Sequence, residues 1–210
     1  MAIERADFPG KVRIEKRSDG KSQIVGYGAV FYRSGEPGTE YELWSNVVER
    51  VAPTAFATAL SRPDDVRALF NHDPNFVLGR SSSGTMTLSV DDRGLRYVID
   101  PPDTQQARDL IASIERGDIS GSSFSFSVNS ETWTDPVNGG PEVRTINDVT
   151  LYDVGPVTFP AYEATAAGMR GKAIGEHREA RQSYDKWRHK EYRAAIMARH
   201  ARSIALDSAK

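Results

Sequence analysis

Cysteine is absent from the 210 residues. That excludes disulfides, cysteine-ligated zinc and a thiol nucleophile, and it suits a reducing compartment. Histidine is scarce: His72, His177, His189 and His200 are the full set. Three of the four fall in a charged C-terminal stretch, so no protein-ligated metal site is expected, and no motif calls for a cofactor. No apolar run approaches the length needed to cross a bilayer. The opening stretch, MAIERADFPGKVRIEKR, interleaves charges and has no apolar h-region, so no secretory signal is read there. The chain therefore reads as soluble and intracellular, with no membrane role. A P-loop, a full G-x-G-x-x-G and an H-E-x-x-H are all missing. Gly117-Asp118-Ile119-Ser120-Gly121 has the wrong spacing for a G-x-S-x-G elbow. Ser18-Asp19-Gly20-Lys21 fits S-x-x-K by letter but lies on a predicted hairpin rather than a helix.

What is present suits one β-rich body and an appendage. Hydrophobic residues make up 39% of the chain, enough for one core at this length. Turn-like Gly and Pro clusters punctuate the first three quarters. Residues 1–8 read as a loose end. Val12–Val30 reads as two strands about an Asp19-Gly20 turn, and Tyr41–Val51 as one more. Pro53–Ser61 is a short predicted helix. Strands follow at Val66–Phe70, Val77–Arg80, Thr85–Val90 and Leu95–Ile99. Thr104 caps a helix that runs to about Arg116, with Ala107, Leu110, Ile111 and Ile114 at helical spacing and Gly117 ending it. Ile119–Thr132 and Val143–Phe159 are strand again. The expected class is mainly β with inserted helices (α+β), as a closed or nearly closed antiparallel barrel that leaves few bare edges.

Charge divides the chain. Residues 163–210 hold eleven Lys/Arg against six Asp/Glu, leaving sixteen against twenty-three in 1–162. The predicted division is therefore a 1–162 body and a basic 163–210 helical arm, with its long helix over Glu176–Leu206. Such a division suggests that the tail meets something acidic or the body itself; the plainer reading is a solvated helical face, and a nucleic-acid partner is not expected.

Two features of the body could carry chemistry. In Gly121–Val128 the side chains alternate, so Ser122, Phe124, Phe126 and Val128 share one face and Ser123, Ser125 and Ser127 the other. With the phenylalanines in the core, the serine face points to a polar surface or cleft, and Ser123 or Ser125 is the accessible hydroxyl. Ser123 is nearest the Gly121 turn. A serine hydroxyl needs a base, and His72, at the end of an apolar strand, is the body's single histidine. Asp153, on a late strand, is the candidate to orient that imidazole. Asp73 is the rival, but a residue adjacent to the histidine rarely curls back onto its ring. Arg144 is a candidate helper for an oxyanion, beside backbone N–H groups near Ser123. Taken singly, a turn histidine and a serine on an amphipathic strand are ordinary features.

An ordered set of segments carries more. Gly26–Phe31 and Glu49–Phe56 are followed by Leu69–Asp73 (LFNHD), Leu78–Arg80, Asp91 with Gly94-Leu95, and Ile114–Gly117. Then come Ser123–Phe126 (SFSF), Leu151–Val154 (LYDV) and Val157–Tyr162. Over roughly residues 12–162 this series resembles the tailed-phage prohead protease family. The resemblance implies a serine peptidase with a fold similar to the herpesvirus assembly protease. Its nucleophile and base match Ser123 and His72, and its third member matches Asp153. Two positions depart from the family pattern. Ser125 stands where many relatives have glycine, and Gly155, where many have serine, is expected to loosen the strand after Asp153. The resemblance further implies action inside the immature capsid in the host cytoplasm, with phage scaffold and major capsid protein as substrates, and self-cleavage. A homo-oligomer is compatible with it. Two rivals follow from the residues: a non-catalytic β-barrel assembly module, in which Ser123 and His72 lie far apart, and a serine esterase on a barrel.

Overall fold

The computed structural model describes residues 4–8, 12–44, 46–61 and 65–159. The arm expected over 163–210 lies outside them, with its helix and three histidines. Among the described residues eleven strands and two helices follow in chain order: β1 (Glu4–Phe8), β2 (Arg13–Lys16), β3 (Ser22–Val30), β4 (Tyr41–Trp44), β5 (Val47–Val51), α1 (Ala57–Ser61), β6 (Arg67–Leu69), β7 (Val77–Arg80), β8 (Met86–Val90), β9 (Gly94–Ile99), α2 (Gln105–Arg116), β10 (Gly121–Thr134) and β11 (Glu142–Val157). The fold is mainly β with inserted helices, as expected.

Pairing falls into two sheets. A four-stranded antiparallel sheet has the order β2-β3-β9-β8. A seven-stranded sheet has the path β1-β10-β11-β5-β4, with β6 joined to β11 and β7 to β6. β11 pairs in parallel with both β5 and β6, so the second sheet is mixed and the all-antiparallel expectation is corrected. No closed ring of ladders is found among the described residues. Two further expectations change. Residues 4–8 form a strand against β10 rather than a loose end. Tyr41–Val51 is two antiparallel strands, because Asn46 takes a left-handed φ of 66° and reverses the chain.

The local chemistry explains the elements that hold the site. β5 alternates buried and half-buried residues along VVERV, the pattern of a strand with one face inward. Thr104 Oγ1 accepts the Ala107 N–H at 3.3 Å at the start of α2, and Gly117 ends it at φ 84°. A cap of this kind stabilises a helix by about 0.5–2 kcal/mol. Phe124 and Phe126 stack with centroids 4.4 Å apart, and Phe56 meets Phe124 edge-on at 5.6 Å. Both β10 rings are fully buried in one core with Ile24, Tyr97 and Ile99 of the other sheet. Burial of that face fixes the rotation of β10 and sends Ser123, Ser125 and Ser127 to the opposite side.

Candidate active site

Register on β10 and β11 sets the frame. Ser123 lies opposite Gly155, and Ser125 opposite Asp153. Residues directly opposed across a ladder project to the same face. Asp153 is therefore on the serine side of the sheet, diagonal to Ser123 and one pleat away, a gap of about 7–8 Å between Cα atoms. A ring with a nitrogen at each end fits that gap.

His72 supplies the ring from the far side of β11. β6 pairs in parallel with β11 at Asp153 and Val154. The chain then leaves β6 and crosses β11 at Gly155 and Pro156. A Cβ on Gly155 would lie 1.9 Å from the Leu69 carbonyl oxygen, so only glycine lets the crossing chain pass at this height. The looser strand expected at Gly155 is corrected: β11 runs on to Val157, and the glycine makes room for the segment that delivers His72. Just beyond the crossing, the Asn71 N–H donates to Pro156 O at 3.0 Å. Asn71 and His72 both adopt left-handed backbone, φ 54° and 57°. Two such residues in succession turn the imidazole back over β10. Asparagine and histidine are among the side chains that tolerate this region best.

The imidazole joins the other two groups. His72 Nε2 lies 2.6 Å from Ser123 Oγ, and Nδ1 is hydrogen-bonded to Asp153 Oδ1. An ionised carboxylate only accepts, so Nδ1 donates to Asp153, and Nε2 of the neutral ring accepts from the Ser123 hydroxyl. The side chains of His72 and Asp153 are 8% and 11% exposed, and Ser123 is wholly buried. The structure thus brings together His72, Ser123 and Asp153 and selects Ser123 over Ser125 as the imidazole's partner. Asp73 is not the orienting group: its Oδ1 accepts from the Asn75 N–H at 2.8 Å and from Asn75 Nδ2 at 2.9 Å. A hydroxyl, an imidazole and a carboxylate in this order can move a proton off the serine and stabilise the resulting imidazolium.

Two expectations about the surroundings are corrected. The serine face is not wet: Ser125 and Ser127 are buried along with Ser123, and Ser127 Oγ lies 3.1 Å from Tyr152 OH. Arg144 cannot reach an oxyanion at Ser123. It pairs with Trp133, eleven residues along β11 from Gly155, roughly 35 Å of strand. There its guanidinium is shared between Glu49 Oε2 at 2.8 Å and Glu131 Oε2 at 2.7 Å. The Trp133 indole N–H holds the other Glu131 oxygen at 2.8 Å. A buried arginine with two carboxylates binds β5, β10 and β11 together, and removing one partner would strand a charge.

Three contributors were not read from the sequence in the role the structure gives them. Asn71 is one: its Oδ1 accepts the Thr158 N–H at 2.8 Å and its Nδ2 donates to Thr158 Oγ1 at 3.1 Å. Asparagine before a turn histidine was its one available signal. Gly155 is the second. The third is the pair of buried hydroxyls beside Ser123, Tyr97 OH and Ser122 Oγ, 2.8 Å apart.

A protein-family model described as caudovirus prohead serine protease matches residues 10–180. The chain belongs to this family. The match takes in all three residues of the cluster and continues past the expected body boundary at 162. No curated protein and no solved structure matches the chain. Membership of the prohead serine proteases makes this a serine peptidase of capsid maturation. Among the described residues no helix is long and apolar enough to cross a membrane, and no group of three or more His, Asp or Glu side chains could hold a metal ion.

Proposed function

We propose that Ser123, His72 and Asp153 form the catalytic triad of an endopeptidase that cuts scaffold or major capsid protein within the prohead, in the host cytoplasm. The observation that carries this reading is the 2.6 Å approach of His72 Nε2 to Ser123 Oγ, with the opposite ring nitrogen held by Asp153. Ser123 Oγ attacks the peptide carbonyl as His72 Nε2 takes the hydroxyl proton. The tetrahedral intermediate collapses when that proton passes to the leaving amine, giving the acyl-enzyme and the first product. Water then adds by the same route and restores the serine. Asp153 keeps the proton on Nδ1 and stabilises the imidazolium.

The chemistry needs only the protein's own groups and no cofactor. Residues 1–162 are taken as the protease body and 163–210 as a separate arm, a contact for scaffold, a packaging signal or a region of self-cleavage. Two sheets around one core support a barrel-like body. The non-catalytic assembly module required Ser123 and His72 to lie apart, and their contact counts against it.

The test is coexpression of scaffold and coat protein with the wild-type chain and with Ser123→Ala, followed by intact-mass measurement. Cleavage is expected with the wild type and lost with Ser123→Ala, by several orders of magnitude in rate. Equal processing by both proteins would overturn the assignment. Ester but not peptide turnover would favour an esterase.

A further inference from the structure

β10 has two edges beside the nucleophile. β11 lies along one. Along the other, β1 runs antiparallel, with Glu4 opposite Phe126, Ala6 opposite Phe124, Asp7 opposite Ser123 and Phe8 opposite Ser122. β1 ends the sheet path, is five residues long, and pairs with β10 alone. Ser123 meanwhile has no exposed surface, so a peptide reaches it only after covering chain has moved.

An endopeptidase must hold its substrate extended, with one carbonyl at the nucleophile. Adding a strand to a sheet edge does this through main-chain hydrogen bonds, which read no sequence, while side-chain pockets supply preference. Along an antiparallel edge, alternate residues turn both N–H and C=O outward. The position opposite Ser123, about 5 Å away between Cα atoms, is the nearest in-plane point from which a strand could bow toward Oγ. Residues 4–8 occupy it.

Resting on the triad reading, we propose that substrate docks by displacing residues 4–8 from the β10 edge between Ser122 and Phe126. The register fixes its direction. Substrate residues before the scissile bond run along Phe126 toward Phe124, and those after it leave past Ser122. Residues 4–8 are then a strap that competes with substrate for the same main-chain groups.

The test loosens and locks the strap in the full chain. Ala6→Pro removes an N–H from β1 and disfavours its pairing. Arg5→Cys with Ser125→Cys places two thiols opposite each other in a protein otherwise lacking cysteine. The probes are a mixed library of quenched-fluorescent peptides and a small fluorophosphonate that labels an activated serine. Ala6→Pro is expected to lower KM several-fold at constant kcat. Oxidising the double-cysteine protein is expected to cut peptide turnover at least about tenfold against the same protein reduced, while fluorophosphonate labelling persists. Unchanged turnover on oxidation, with the crosslink verified by mass, or an unchanged or raised KM for Ala6→Pro, would overturn the strap. A wild-type chain that takes no fluorophosphonate would instead sink the triad reading beneath it.

Discussion

Asn71 grips Thr158 with both ends of its side-chain amide, accepting the backbone N–H at 2.8 Å and donating to Oγ1 at 3.1 Å. The residue between Asn71 and the end of its own turn is His72, so this clamp sets where the imidazole stands over β10. Asn71→Ala loses both bonds and puts an alanine at φ 54°. A displacement near 1 Å costs about 10²-fold in rate for a positioned catalytic group, and that loss is expected in kcat. Asn71→Gly separates the causes, because it keeps the left-handed backbone and loses only the clamp. Fluorophosphonate labelling at Ser123 should slow in the order wild type, Asn71→Gly, Asn71→Ala. Wild-type labelling by Asn71→Ala would show that Asn71 does not position the histidine.

The parts of the site that follow a period were legible in the sequence. Alternation of Phe and Ser fixed the faces of β10, and a histidine ending an apolar strand next to polar turn residues marked the second group. Asp153 was legible as a carboxylate on a late strand, but its face was not: strict alternation would place it with Leu151, and only a bulge at Tyr152, whose OH meets Ser127, turns it to the serine side. What stayed hidden depends on long-range pairing. Arg144 and Asp153 lie on the same strand, and only the register shows that one is remote from Ser123 and the other diagonal to it. The buried state of Ser125 and Ser127 depends on what lies over the sheet, which alternation cannot report. ERADF, the β1 sequence, is charged and short, and only the open edge of β10 makes it a strand.

Gly155 offers a test of how closely β6 must approach. Its Cβ would meet Leu69 O at 1.9 Å and Leu69 C at 3.0 Å, both backbone atoms that cannot rotate away. Gly155→Ala forces the crossing segment outward. Overpacking of this kind costs about 1–3 kcal/mol. For a chain of this size that corresponds to a Tm lower by about 2–4 °C per kcal/mol. The same displacement lifts His72 from Ser123, so labelling measured well below Tm should also fall. Wild-type Tm and labelling together would mean that the crossing is looser than described.

Tyr97 and Ser122, the chain neighbour of Ser123, form a buried pair. Burial pushes the Tyr97 phenol above its ordinary range, so it stays protonated and can donate. Ser122 Oγ can donate its own hydrogen bond to Gly155 O at 3.4 Å, linking the pair to the strand under His72. Tyr97→Phe leaves Ser122 with that long contact alone, and Ser122→Ala leaves the phenol unpaired. Each should cost about 1–3 kcal/mol in urea unfolding. The double variant removes both polar groups and should cost measurably less than the two single losses combined. Strict additivity would mean that the hydroxyls do not interact.

Asp91 predicts the acid limb of stability. Burial alone would raise its pKa, but Tyr27 OH at 2.6 Å and the N–H groups of Arg93 at 2.8 Å and Gly94 at 3.1 Å outweigh it. The carboxyl is therefore held below the ordinary range, and Tyr27, half-buried and bonded to Asp91, is pushed up. A folded pKa below the unfolded value, about 3.9, gives stabilisation that is complete above that value. It is lost as pH falls through the folded pKa. Asp65 acts in the same direction, held low first by its hydrogen bond from Arg80 and then by that from Ser82. Asp91→Asn should lower Tm near neutral pH, and its gap from wild type should narrow between about pH 6 and about pH 3. A gap that stays constant over that interval would mean that the Asp91 charge contributes nothing to the turn it holds.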